Sequence, residues 1–439
     1  MEISRNNNIF FAKTAIFSLI FQIGGTGITF LLLIALARLL KIEDYGDYIY
    51  ALTWLNILVL VSKFGLDMLL VRYVSAYESK QQWDYLRGVI IWSFKIALLS
   101  SIIITAMLMF STWLLTPRIG ENLANLFYIT SSIILFVCLA ELAQSILRGL
   151  HHIILSQLLG TVLRPFILSL AVLTLYFTDF TLSAFVIIVA NLFTGLIIVT
   201  ISIILTIYHI PKAVKKAQAI IKYEEWIATT FPLFILSGTL ILINQTDIVM
   251  LGIMKNTKDA GIYASIANIS IFVSFGLGAA NAFLAPMISK LHSLGDKQKL
   301  QDLVTRVTRG IFVFTILASI FLIIVGESLL SLFGKEFLVG YSSLIVLLLG
   351  QIVNSLAGSV GLLMTMTGNQ TLVAKVFTIS AILNITLNFI LIPILGMFGA
   401  AIATGMSIIF RNIVLLWFVK KYIGINSTIF GVNHRNNYL

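Results

Sequence analysis

The chain has 439 residues, of which 59% are hydrophobic and only 11% charged, with a mean hydropathy of +1.02. No soluble domain of this length needs so much apolar surface, so the composition excludes a soluble enzyme and points to a polytopic membrane protein. The net charge of +11 would suggest nucleic acid in a soluble chain; here basic loops held on the cytoplasmic side against anionic headgroups account for it, and the lone cysteine, Cys138, excludes internal disulfides and cysteine-rich metal sites.

In chain order, twelve apolar runs of about 20 residues read as spanning helices. Their approximate limits are 15–37, 48–70, 88–110, 123–146, 156–177, 182–208, 228–252, 262–285, 309–333, 340–365, 372–393 and 397–420. The first is too long for a signal-peptide core, and no small-residue cleavage site follows it. The second is interrupted near its end by Lys63, Asp67 and Arg72. Pro165, Pro232 and Pro286 lie in or at the ends of spans, where a missing backbone donor can kink a helix.

Loop charges orient the chain. If the N-terminus is inside, only Arg38, Lys41, Arg118, Lys255, Lys258 and Lys335 of the 29 lysines and arginines fall on the outer side, so both termini are expected in the cytoplasm. The longest inner connection, His209 to Glu225, carries Lys212, Lys215, Lys216 and Lys222 and falls after the sixth span. The expected division is a first six-helix bundle at 1–208, a basic linker at 209–226, a second bundle at 227–422 and a polar tail at 423–439.

A short tag recurs at corresponding places, Asp44-Tyr45-Gly46-Asp47-Tyr48 and Asp259-Ala260-Gly261-Ile262-Tyr263, and Phe64-Gly65-Leu66 is matched by Phe275-Gly276-Leu277. The expected fold is therefore all-α, twelve transmembrane helices in two six-helix bundles related by a pseudo-two-fold axis along the membrane normal. Such halves usually enclose a cavity and work by alternating access. The tags themselves read as outer-face helix connections that mark this symmetry.

Charges inside the spans are the candidates for function, because intramembrane ions face a bundle interior or a water-filled path. Arg164 lies about 12 Å from the inner end of the fifth span at 1.5 Å per residue, and Arg411 is similarly deep in the twelfth. With Lys63 inside and Arg38, Arg72, Arg148 and Lys375 towards the rims, the expectation is a cationic cavity suited to an anionic headgroup, guanidinium binding phosphate bidentately. The plainer alternative is that Arg72 and Arg148 snorkel to the interface and that Lys63 and Asp67, four residues apart, form a structural pair. Asp247, Glu141 and Asp67 are the candidates for ion coupling, by H+ or Na+, set against a purely hydrogen-bonded structural role. No metal site is expected, since adjacent His151 and His152 do not share a helical face. No Walker loop, His-Glu-x-x-His, Gly-x-Ser-x-Gly or paired loop carboxylates occur, so no catalytic residue and no cofactor is expected.

Several segments taken together resemble a known family. Ala37-Arg38-Leu39-Leu40 before Asp44-Tyr45-Gly46, and Phe64-Gly65-Leu66-Asp67 with Arg72-Tyr73, are similar to the first third of bacterial polysaccharide-export flippases. So are Phe231-Pro232-Leu233 leading to Asp247-Ile248-Val249-Met250-Leu251, Ala285-Pro286, and Leu391-Ile392-Pro393 with Gly396 and Gly399-Ala400-Ala401. The resemblance implies the multidrug/oligosaccharidyl-lipid/polysaccharide exporter superfamily. Within it, the chain is similar to flippases that move an undecaprenyl-pyrophosphate-linked oligosaccharide across the bacterial inner membrane for O-antigen or capsule. Its implied partners are that lipid-linked glycan, membrane lipids, and a glycan polymerase and chain-length regulator of the same pathway; nucleic acid is not among them. A cation-coupled multidrug exporter of the same superfamily is the alternative. A membrane glycan polymerase or ligase would need a larger outer loop than any here.

Overall fold

The computed structural model describes residues 2–178 and 180–431; the tail expected at 423–439 lies outside the described residues from 432 onward. The protein is all-helical and multi-pass. Among the described residues ten helices are long and apolar enough to cross a membrane, and two bent helix pairs raise the number to as many as twelve. Apolar chain in lipid has no water to satisfy its backbone, which leaves the helix as the solution for each run. Hydroxyls within the spans turn back onto the preceding turn, as Thr53 does to the Ile49 carbonyl at 2.9 Å and Thr194 to Ala190 at 2.9 Å. Large apolar side chains such as Phe110, Trp113, Phe193 and Phe389 stay exposed, as lipid-facing positions do.

The chain forms two compact units, Met1–Ile241 and Leu242–Leu439. The first contains α1 (Glu2–Leu39), α2 (Ile42–Lys63), α3 (Leu66–Ser79), α4 (Trp83–Ile119) and α5 (Glu121–Gly149). It continues with α6 (Ile153–Gln157), a π-helical stretch (Leu158–Leu163), α7 (Arg164–Phe177), α8 (Ala184–His209) and α9 (Lys212–Lys216). α10 (Tyr223–Met254) crosses the boundary and is bent by 48° between Thr239 and Ile241. α5 is the axis of this unit, packed on α2, α3, α4 and α8.

The second expected span is two helices, α2 and α3, meeting at 46°. Phe64 and Gly65 both take left-handed backbone, with φ of 49° and 79°. Such a conformation costs a non-glycine residue of order 1–3 kcal/mol. At Phe64 the cost is offset by stacking on Phe234, with ring centroids 4.7 Å apart. A Cβ at Gly65 would sit 2.8 Å from the Phe234 nitrogen and 2.9 Å from the Thr230 carbonyl oxygen. Gly65→Ala should therefore destabilise the protein by about 2–4 kcal/mol, combining backbone strain and overpacking. A thermal melt of the purified variant checks this, and an unchanged melt would contradict the strained elbow.

The basic segment after α8 is not a free tether. Arg87 donates to the Lys215 and Ala217 carbonyls at 2.9 and 2.6 Å, and the Gln218 amide donates to Asp84 at 2.8 Å. Gly88 lies directly under Ile220, whose carbonyl leaves no room for a side chain there. Trp226 is fully buried and donates to the Tyr77 hydroxyl at 3.2 Å.

The second unit comprises the rest of α10, then α11 (Thr257–Ser293), α12 (Lys297–Phe333), α13 (Tyr341–Ala357), α14 (Val360–Met366), α15 (Gln370–Leu395) and α16 (Met397–Phe418). α16 packs on α13 and α15 through small residues, including Gly399, Ala400, Ala401 and Gly405. The matched Phe-Gly-Leu motifs do different things in the two units. Gly276 sits inside the unbroken α11, where its missing side chain admits the ring of Phe314. The tenth expected span is also divided, at Gly358, whose φ of 71° separates α13 from α14.

Candidate functional site

Ionisable groups among the described residues of both units sit within polar surroundings inside the spanning helices. In the first unit Lys63, at the end of α2, is buried and bonds Asp67 at 3.0 Å and Glu141 of α5 at 2.5 Å. One cation thus faces two carboxylates. Asp67 and Glu141 remain partly open, with 19% and 36% of their side chains accessible.

Arg164 stands at the start of α7, directly after the π-helical stretch and before Pro165. Proline supplies no amide hydrogen to the turn behind it, which favours the wider winding there. Among the described residues no carboxylate lies within ion-pair distance of Arg164, and no hydrogen-bond acceptor for its guanidinium is resolved; Glu141 and Tyr48 are its electrostatic neighbours. It borders two cavities. One, of about 360 Å³, is lined among others by Thr26, Tyr48, Asn56, Arg164 and Asn191. The other, of about 40 Å³, is lined by Glu141, Gln144, Gly160 and Arg164, and has room for little more than a water molecule. Asn191 is buried; its amide pairs with Tyr48 and its Oδ1 has no partner. A buried amide oxygen without a donor is costly.

In the second unit Asp247 of α10 is buried among neutral donors only. Its Oδ2 accepts from the Tyr263 hydroxyl at 2.7 Å and from Thr404, and its Oδ1 accepts from Asn388 at 2.6 Å and Asn384 at 3.2 Å. Asn388 Oδ1 is buried without a partner. The group is rich in oxygen, carries one formal negative charge and is buried.

The other candidate residues are placed as follows. Arg38, Arg72 and Lys375 are exposed. Arg72 sits 5.7 Å over the Tyr73 ring, and Arg148 donates to Ser145 at 2.7 Å. Arg411 is half-buried on α16, 4.8 Å over the ring of Phe377, with no carboxylate at ion-pair distance among the described residues. Lys63 is engaged by two carboxylates, and the charges of Lys63, Asp67, Glu141 and Arg164 together sum to zero. Sequence reasoning passed over Tyr48, Asn191, Tyr263, Asn384, Asn388 and Thr404. The signals were present: Asn384 and Asn388 are one turn apart on a shared face, and Tyr48 and Tyr263 are the final residues of the two recurring tags.

The tags lie in the first two turns of α2 and α11, so one delivers the buried Tyr48 to the cavity at Arg164 and the other the buried Tyr263 to Asp247.

Comparison with known proteins agrees with this architecture. The chain is 23% identical over 423 residues to the probable low-salt glycan biosynthesis flippase Agl15 of Haloferax volcanii, covering 94% of this chain and 84% of that protein. It is 25% identical over 413 residues to an uncharacterized membrane protein, MJ1068, of Methanocaldococcus jannaschii, covering 86% of this chain and 78% of that one. Its fold is similar to an inward-facing multidrug resistance MATE family transporter of the MOP superfamily, with TM-score 0.73 at 13% identity over 90% of this chain and 98% of the other. It is also similar to the lipid II flippase MurJ in an inward closed conformation, with TM-score 0.65 at 18% identity over 94% and 87%. Residues 11–292 match the family described as polysaccharide biosynthesis protein, and with well over half of its length inside that match the chain belongs to this family.

Proposed function

We propose that this protein is a flippase for a lipid-linked oligosaccharide, moved by alternating access, whose polyprenyl phosphate or pyrophosphate headgroup engages Arg164. The observation that carries the reading is a guanidinium inside the spanning helices with no carboxylate at ion-pair distance among the described residues, bordering a cavity whose lining includes hydroxyl and amide groups. A half-buried guanidinium presents five donors in a fork that fits phosphate oxygens, while Tyr48, Asn56 and Asn191 offer hydrogen bonds to neutral sugar hydroxyls. The similarity to a glycan flippase of an archaeon keeps the lipid carrier class broad. In a bacterium the matching substrate is an undecaprenyl-pyrophosphate-linked O-antigen or capsule unit in the inner membrane, handed on to a polymerase and chain-length regulator.

Asp247 is the proposed coupling site, for Na+ or H+, since its cluster joins one carboxylate to several neutral oxygens. The competing reading, export of organic cations, meets an obstacle in the same geometry: Asp247 is buried and already accepts from Tyr263, Thr404, Asn384 and Asn388.

The test is reconstitution of the full chain in proteoliposomes carrying a fluorescent polyprenyl-pyrophosphate-linked sugar. Protein-dependent exposure of the sugar to an external quencher is expected, with no uptake of ethidium. Ethidium transport without sugar translocation would replace this reading by the drug exporter.

A further inference from the structure

We propose that Glu141 is a built-in competitor of the substrate for Arg164, held aside by Lys63 while the headgroup is bound and turned onto Arg164 as it leaves. The inference rests on the flippase reading above and adds the means of release. Three observations converge on it. Glu141 and Arg164 line the same small cavity, of about 40 Å³, together with Gln144, Gly160 and the apolar Val137, Ala140 and Ile198. Glu141 is the more accessible of the two carboxylates on Lys63, with 36% of its side chain open against 19% for Asp67. Lys63 stays charge-balanced by Asp67 when Glu141 departs, because that pair is made within one elbow at 3.0 Å.

The electrostatics favour such an exchange. Lys63, Asp67 and Glu141 together carry one negative charge, next to the one positive charge of Arg164. An isolated guanidinium inside the spans is costly, so Arg164 requires a counter-ion at every stage. Two are on offer: the arriving phosphate, from the larger cavity, and Glu141, from the smaller. A site that held a pyrophosphate with an unopposed arginine would bind it well and release it slowly. Transport needs binding strong enough to enter and weak enough to leave, and a resident carboxylate supplies that balance. Gly160 keeps the exchange path narrow, since its backbone is close against the Gln144 amide and a Cβ there would lie 2.7 Å from Gln144 Oε1.

The experiment measures binding of undecaprenyl pyrophosphate to the purified full chain in nanodiscs, together with the proteoliposome translocation rate, for wild type, Glu141→Gln, Lys63→Met and the double variant. Glu141→Gln should bind the probe at least roughly tenfold tighter, the effect of removing a nearby like charge at moderate dielectric, and should translocate more slowly. Lys63→Met should bind roughly tenfold weaker, because the freed Glu141 collapses onto Arg164. The double variant should recover binding to the wild-type level or beyond, an outcome that a merely structural ion triad does not produce. If Lys63→Met fails to fold, Glu141→Gln alone decides, since the amide retains its shape and its contact to Lys63. Unchanged or weaker binding by Glu141→Gln overturns the proposal while leaving the flippase reading intact. Absence of any binding by the wild type overturns both.

Discussion

Asp247→Leu is expected to destabilise the second unit by about 2–5 kcal/mol, because it removes the acceptor of four donors, three of them buried, each costing roughly 1–3 kcal/mol when left unsatisfied, less what the remaining bonds of Asn384 and Asn388 and local repacking recover. Tyr263, Thr404, Asn384 and Asn388 all aim at this carboxylate, and no other acidic group among the described residues could accept from them. Asp247→Asn is the sharper variant. It keeps the shape and one accepting oxygen, so its cost should be about 1 kcal/mol, but it removes the charge that a coupling cation or proton would occupy. A bound cation at a hundred times its dissociation constant raises stability by about 2.7 kcal/mol. Wild-type protein should therefore melt higher in Na+ than in a bulky organic cation, or show the corresponding dependence on proton concentration. Asp247→Asn should lose that dependence together with substrate translocation. Retention of both by the variant would leave Asp247 a structural acceptor only.

Arg164→Gln should separate stability from function in the opposite way. Glu141 keeps Lys63 as its partner when the guanidinium is removed, so melting should change by no more than about 1 kcal/mol. Substrate binding should fall by a factor of roughly 100 or more, the usual scale for truncating one member of a buried charged pair. Arg164→Lys should recover part of this, roughly a factor of ten, since it restores the charge but not the two-pronged geometry. Both are read by probe binding in nanodiscs with melting measured on the same samples. If Arg164→Lys matches wild type, the guanidinium fork is not what the site uses.

Much of the architecture was legible in the amino-acid sequence for one reason: in lipid a long apolar run must be helical, so counting runs amounts to counting spans. Lys63, Asp67 and Arg72 betrayed an irregularity in the second run, although not that Phe64 and Gly65 would turn left-handed between them. The π-helical stretch before Arg164 left no trace, since Leu158–Leu163 reads as an ordinary apolar helix. Charge counting found Arg164, Glu141 and Asp247, because an ion in a hydrophobic run stands out. It overlooked Asn191, Asn384, Asn388 and Thr404, since a neutral amide or hydroxyl hardly shifts a hydropathy window. Yet these residues decide what the charges can do. Around Asp247 they build a cage of donors, and beside Arg164 they leave an unmatched oxygen. The partnership of Lys63 with Glu141, across 78 positions, depends on the packing of α2 against α5 and had no local signature. Reading Lys63 as a cavity cation failed for that reason.

The two tag tyrosines carry an implication for how such a protein could diversify. A phenol both donates and accepts, so Tyr263 gives its proton to a carboxylate while Tyr48 offers its oxygen beside a guanidinium. A residue that suits either sign of neighbour need not change when that neighbour is inverted. The same Asp-x-Gly-x-Tyr pattern thus sits beside a guanidinium in one unit and a carboxylate in the other, and a lineage could exchange one for the other by altering a single opposing side chain.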